Sequence, residues 1–164
     1  IMTPQVNKLE LEKMVKAETD FLIDQVNGLE GLLNQIIEEF NKDPFGNSQI
    51  RNLLHSARAA SGIKEISLFI QYQMAREKIW SQKFSNGQSL GHAVIAILQK
   101  IEERVKAHYG HVDEETRHEL LIRLVERFFL YWAWKYKYLR SQDNQDNGQK
   151  TKPQSSQHRQ MSRR

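Results

Sequence analysis

Apolar residues recur along this chain at intervals of three and four, and no segment of useful length alternates with period two. Leu22, Val26, Leu29, Leu33, Ile36 and Phe40 step by 4, 3, 4, 3 and 4, the spacing that lines one face of an α-helix. Pro44 and Gly46 interrupt the pattern, because neither residue continues a helix comfortably. Asn47 or Ser48 then caps a second helix with Ile50, Leu53, Leu54 and Ala57 inward, and Gly62 ends it. A third helix is predicted over about 63–81, with Ile63, Ile66, Ile70 and Met74 on one side and Leu68, Phe69 and Tyr72 elsewhere. Apolar residues on more than one side place that helix at the centre of the fold.

Residues 81–89 (SQKFSNGQS) read as a loop, and a fourth helix over about 89–109 carries Val94, Leu98, Ile101 and Val105. A turn at 108–112 stops it, and Asp113, Glu114 and Glu115 open a fifth helix over about 114–140, acids in the first turn complementing the helix dipole. This last helix is the most apolar, with Leu120, Leu121, Leu124, Val125, Phe128, Phe129, Tyr131, Trp132 and Trp134. Residues 141–164 hold one apolar residue, Met161, too little to offset the entropy of ordering. The expected fold is therefore all-α: a single bundle of about five helices over 1–140, followed by a disordered basic tail over 141–164.

Charge divides the chain unevenly. Residues 1–43 carry four Lys against nine Asp and Glu, a net −5, whereas residues 44–140 carry fifteen Lys and Arg against nine acids, a net +6. The tail adds five cations against two Asp, a net +3. An acidic leader followed by a basic body points to an anionic partner for the body. The chain has no cysteine, which excludes disulfides, thiol nucleophiles and thiolate metal sites. No apolar run approaches the ~18 residues of a membrane span, and the first residues lack the apolar core of a signal peptide. A cytoplasmic protein without a membrane partner is expected.

Catalytic signatures are missing. There is no HExxH, no phosphate-cradling glycine loop and no nucleophile elbow. The carboxylate pairs Glu38-Glu39, Glu102-Glu103 and Glu114-Glu115 are adjacent in sequence, hence about 100° apart around a helix rather than facing one another. His108, His111 and His118, near Asp113 and Glu115, form the one metal-like cluster, but a turn and two helices separate their side chains and zinc needs convergent ligands. They read as a polar corner between helices. No enzyme activity, metal or other cofactor is expected.

The cations are more orderly. Arg51, His55 and Arg58 step along one face of the second helix; Lys64, Gln71, Lys78 and Gln82 along one face of the third; Arg123 and Arg127 form a pair four residues apart on the fifth. Such stripes, interleaved with polar groups, suit phosphate contacts that follow a nucleic-acid backbone without reading its bases. The aromatic run at 128–138 supports two readings: exposed rings on which bases stack, or a surface partly buried against another protein.

Three segments taken in order carry a resemblance. They are residues 48–54 (SQIRNLL), residues 66–77 (ISLFIQYQMARE) and residues 121–138 (LIRLVERFFLYWAWKYKY). A capped helix start with an internal arginine, a Tyr-x-x-Ala-Arg helix end and an aromatic Trp-Lys-Tyr-Lys-Tyr finish resemble the small helical subunit of type III-A CRISPR–Cas effector complexes, the Csm complexes, in which the second segment typically closes on Tyr-x-x-Gly-Arg and the third on Tyr-x-Lys-Tyr. Ala75 stands where that family usually has glycine, and a small subunit of a related type III-B complex fits the same residues. The resemblance implies a non-catalytic helical bundle acting in antiviral defence. It would line a filament of backbone subunits beside the large subunit and other copies of itself, supporting the guide (CRISPR) RNA–target RNA duplex through its sugar-phosphate backbone. It carries over Arg51 and Arg76 as nucleic-acid-binding residues. Arg58, Lys64, Lys78, Arg123 and Arg127 join them from the stripes alone. Two other readings stay open: a helical adaptor or dimerising protein without nucleic acid, and a DNA binder using the second helix.

Overall fold

A computed structural model describes the backbone at residues 8–40 and 46–150, and the side chains at 8–40, 49 and 51–144. Among the described residues the chain is all-α and contains no strand. Eight helices occur where five were expected: α1 (Lys8–Ala17), α2 (Thr19–Gly28), α3 (Glu30–Glu39), α4 (Gly46–Ala59), α5 (Ile63–Arg76), α6 (Lys78–Ser81), α7 (Leu90–His108) and α8 (Glu114–Lys150). No helix among the described residues is long and apolar enough to cross a membrane.

The three extra helices arise from interruptions of predicted ones. The leader is divided at Glu18 and Leu29, where the backbone bonds tighten to Glu18 N–H→Val15 C=O at 3.2 Å and Leu29 N–H→Val26 C=O at 3.0 Å. The ladder resumes beyond each, as Leu22 N–H meets Glu18 C=O and Leu33 N–H meets Leu29 C=O. The predicted third helix breaks at Glu77, which is extended with φ −123° and ψ 119°. Phase explains that break. A helix continuing the stripe of Ile63, Ile66 and Ile70 turns Glu77 inward and Ile79 outward. One extended residue reverses this, so that Ile79 and Trp80 are buried while Lys78 is exposed.

The centre of the fold is α8, not the predicted third helix. It packs against α1, α2, α3, α4 and α7, whereas α5 packs on α7, α6 and α4. Along α8, Leu120, Leu124, Val125, Phe128, Phe129 and Trp132 are fully buried, followed by Tyr136 and Leu139. Trp80 meets Trp132 edge-on, with ring centroids 5.8 Å apart and planes at 89°, an arrangement the ring quadrupoles favour. Asp113 starts α8: its carboxylate accepts from the Thr116 backbone N–H at 3.0 Å and from the Thr116 hydroxyl at 2.7 Å. Those two bonds hold the Asp113 carboxyl below its ordinary range. The helix then runs to Lys150, so residues 141–150, expected to be disordered, continue it. Residues 151–164 of the predicted tail lie outside the described residues. The loop before α7 closes on Gly87, whose φ of +73° is a conformation that glycine adopts without strain, and Ser89 caps α7 by accepting from the His92 N–H.

Candidate nucleic-acid interface

The acidic leader lies along α8 and neutralises cations there. Glu12 of α1 pairs with Arg123, Glu30 of α3 pairs with Lys135 at 3.2 Å, and Glu18 pairs with Arg104 of α7. Arg123, expected to face phosphate, is thus half-buried against a carboxylate. Arg58 reaches Glu126 of α8 at 3.4 Å, although its side chain stays 68% exposed. Arg127 is half-buried on α8. Among the described residues, Arg51, Lys64 and Lys78 are exposed cations that no ion pair engages. All three lie on α4, α5 and α6.

Helices α4 and α5 form an antiparallel hairpin joined by residues 60–62. Glu65 braces the join, its carboxylate accepting from the Ser61 N–H at 2.7 Å just before the start of α5. The hairpin brings the first half of α4 to the last half of α5, and a cleft of about 150 Å³ opens there against α6. Gln49 and Asn52 line it from α4, Phe69, Gln73 and Arg76 from α5, and Glu77 from the break. At its base the buried Trp80 indole N–H donates to Gln49 Oε1 at 3.3 Å.

Of the expected cations, one lines this cleft. Arg76 lines it directly, while Arg51 adjoins Asn52 and Lys78 adjoins Glu77 in the chain, each about 3.8 Å away at Cα. Arg76 is exposed and has no carboxylate partner among the described residues. Its guanidinium lies 5.4 Å over the Tyr72 ring centroid and donates to the Tyr72 hydroxyl at 3.3 Å, which orients the cation without neutralising it. At the other end of the hairpin stand Arg58 and Lys64, roughly 18 Å from Arg76 by the rise of the 12 residues between Lys64 and Arg76. The predicted stripe of Lys64, Gln71, Lys78 and Gln82 is not one helical face, because the break at Glu77 separates its halves.

No family model, curated protein or solved structure matches the chain. The geometry of the site therefore carries the functional argument.

The aromatic run divides into two populations. Phe128, Phe129 and Trp132 are core, whereas Trp134 and Tyr138 are 61% and 56% exposed. With Tyr131, Lys135 and Ile23 of α2, these two line an open apolar groove of about 280 Å³ between α2 and α8. Among the described residues no three His, Asp or Glu side chains converge as a metal requires; His111 instead lies beside the Tyr109 ring at 6.5 Å. Cation spacing had marked Arg51 and Lys78, and the resemblance at residues 66–77 had marked Arg76. The amides of Gln49, Asn52 and Gln73 gave no such signal, because only the hairpin brings them together.

Proposed function

We propose that this chain is a non-catalytic small subunit of a type III CRISPR RNA-guided effector complex. Its α4–α6 face supports the guide RNA–target RNA duplex through backbone phosphates, and cleavage belongs to other subunits. The observation that carries this reading is the partition of charge. Leader carboxylates take up Arg104, Arg123 and Lys135, while Arg51, Lys64, Arg76 and Lys78 stay exposed on one hairpin and its extension. Exposed cations engaged in no ion pair among the described residues, with the amides of Asn52 and Gln73 and the lone carboxylate of Glu77 beside Arg76, suit phosphate contact. The order of motifs at 48–54, 66–77 and 121–138 supplies the rest of the proposal.

The test is binding of the full chain to a guide–target RNA duplex and to a DNA duplex of the same sequence across a salt series. A second arm follows incorporation of the chain into a complex reconstituted from large and backbone subunits. Retention in that complex, with RNA affinity that falls as salt rises, is expected. Exclusion from the complex together with equal, salt-insensitive affinities would overturn the proposal.

The adaptor reading keeps one specific support. The groove holding Trp134 and Tyr138 is lined mostly by apolar and aromatic side chains, and the cation on its rim, Lys135, is paired with Glu30 of the leader, a setting that favours a protein partner over a nucleic acid. In the effector complex that partner is a neighbouring subunit.

A further inference from the structure

The cleft between α4, α5 and α6 offers more than phosphate contact. Among the described residues, no hydrogen bond engages the side-chain amides of Asn52 and Gln73 or the carboxylate of Glu77, yet all three line one concavity. At about 30 Å³ per water, its 150 Å³ holds about five waters. That is well below the roughly 300 Å³ at which pockets for whole small ligands begin, so a complete nucleotide does not fit. A single planar base does, with its sugar and phosphate left outside beside Arg76.

The lining matches a heterocycle. Amides present a donor and an acceptor in one plane, the pattern on a base edge. Arg76 supplies a planar cation and Phe69 an apolar wall, and unstacked RNA bases rest on both kinds of surface. Glu77 is an acceptor only, which favours a base carrying an exocyclic amino group, as adenine and cytosine do, over uracil.

We infer that this cleft receives one unstacked, amino-bearing base of the bound RNA strand, while the flanking cations hold the phosphates on either side. The inference rests on the RNA-binding reading and adds a base site to it.

The test uses the full chain and four probes: oligoadenylate, oligouridylate, an abasic ribose-phosphate strand of the same length, and adenosine monophosphate. Oligoadenylate should bind tightest and the monophosphate should not compete with it. Asn52→Ala and the nearly volume-conserving Gln73→Met should each weaken oligoadenylate by roughly three- to tenfold, one lost hydrogen bond apiece. Both should leave abasic binding and the melting temperature unchanged. Lys78→Ala should weaken the base-bearing and abasic strands alike. Unchanged oligoadenylate affinity in both cleft variants, with Lys78→Ala still weakening every strand, would overturn the base site and leave the phosphate reading standing. Competition by the monophosphate at equal concentration would overturn the strand as the ligand. Absence of binding to any strand, alone or in the assembled complex, would overturn both readings together.

Discussion

The guanidinium of Arg104 on α7 closes on the carboxylate of Glu18 at the junction of α1 and α2. Glu18 is 3% exposed and also accepts from the Tyr109 hydroxyl at 2.7 Å, while Arg104 lies 4.3 Å over the Phe21 ring. This group ties the leader to the far end of α7. Arg104→Ala leaves the carboxylate buried with one neutral donor and should destabilise the chain by about 3 kcal/mol, the lower end for a broken buried pair because Arg104 is partly exposed. Glu18→Leu combined with Arg104→Met should recover most of that loss, since apolar replacement removes the buried charge as well as its partner. Urea unfolding measures both. A single variant losing under about 1 kcal/mol would show that water reaches the carboxylate.

Tyr109 supplies a pH test of the same group. Burial, then the hydrogen bond to Glu18 and its charge, push the phenol from 10.0 up to about 12. Above pH 10 the unfolded chain gives up a proton that the folded chain retains. The stabilisation is therefore fully present below pH 10 and is lost as pH rises toward about 12. Ultraviolet titration should show a phenol still ionising as pH approaches about 12, and Tyr109→Phe should diminish that late step by one phenol. If the late step persists undiminished in Tyr109→Phe, another tyrosine is the raised one.

How much of this could be read from the residues varies by element. Helical spacing gave the all-α class and the main helical stretches between Leu22 and Arg140, and Ser89 and Asp113 stand at the predicted starts of α7 and α8. Glu18 falls in the apolar register as well, since Leu11, Val15, Glu18 and Leu22 step by 4, 3 and 4. The spacing thus marks a charge in a core position, but its partner is 86 residues away, beyond any local pattern. The break at Glu77 was legible in principle, because Glu77 falls in phase with Ile63, Ile66 and Ile70 and Ile79 falls opposite them. The extension of α8 to Lys150 was not, because residues 141–150 have no apolar face and Ser141, Asp143, Asn144, Asp146, Asn147 and Gly148 are poor helix formers; they continue a helix already nucleated before them. Arg58 and Arg123 looked alike as stripe members; only tertiary packing gives them Glu126 and Glu12.

Gly91 tests the close approach of α7 to the α5–α6 corner. A Cβ there would meet Met74 Sδ and stand 3.1 Å from the Trp80 carbonyl oxygen. Met74 is unbranched and can swing aside, but the carbonyl belongs to the backbone of α6 and cannot. Alanine gains up to about 1 kcal/mol of helix propensity, against roughly 1–3 kcal/mol for overpacking. A net loss is expected for Gly91→Ala, read as a lower denaturation midpoint with an unchanged urea slope. A raised midpoint would mean that the corner relaxes freely.

The sharpest prediction follows from the division of the cations into partnered and unpartnered. Each phosphate contact removed should shallow the dependence of log affinity on log salt by roughly 0.7 to 0.9. Arg51→Ala, Lys64→Ala and Lys78→Ala should each do so, weakening unrelated RNA sequences alike, because these side chains are exposed and engaged in no ion pair among the described residues. Their melting temperatures should not move. Arg123→Ala should behave in the opposite way. It strands Glu12 and loosens α1 from α8, so the protein melts earlier while the salt slope is retained. Arg58 stands between the two groups: its pair with Glu126 is exposed and worth under about 1 kcal/mol, so a nearby phosphate competes for it on nearly equal terms. Glu126→Gln should then raise RNA affinity modestly by releasing Arg58. If Arg123→Ala shifts the slope and the three exposed cations do not, the phosphate face lies on α8 and the assignment to α4, α5 and α6 fails.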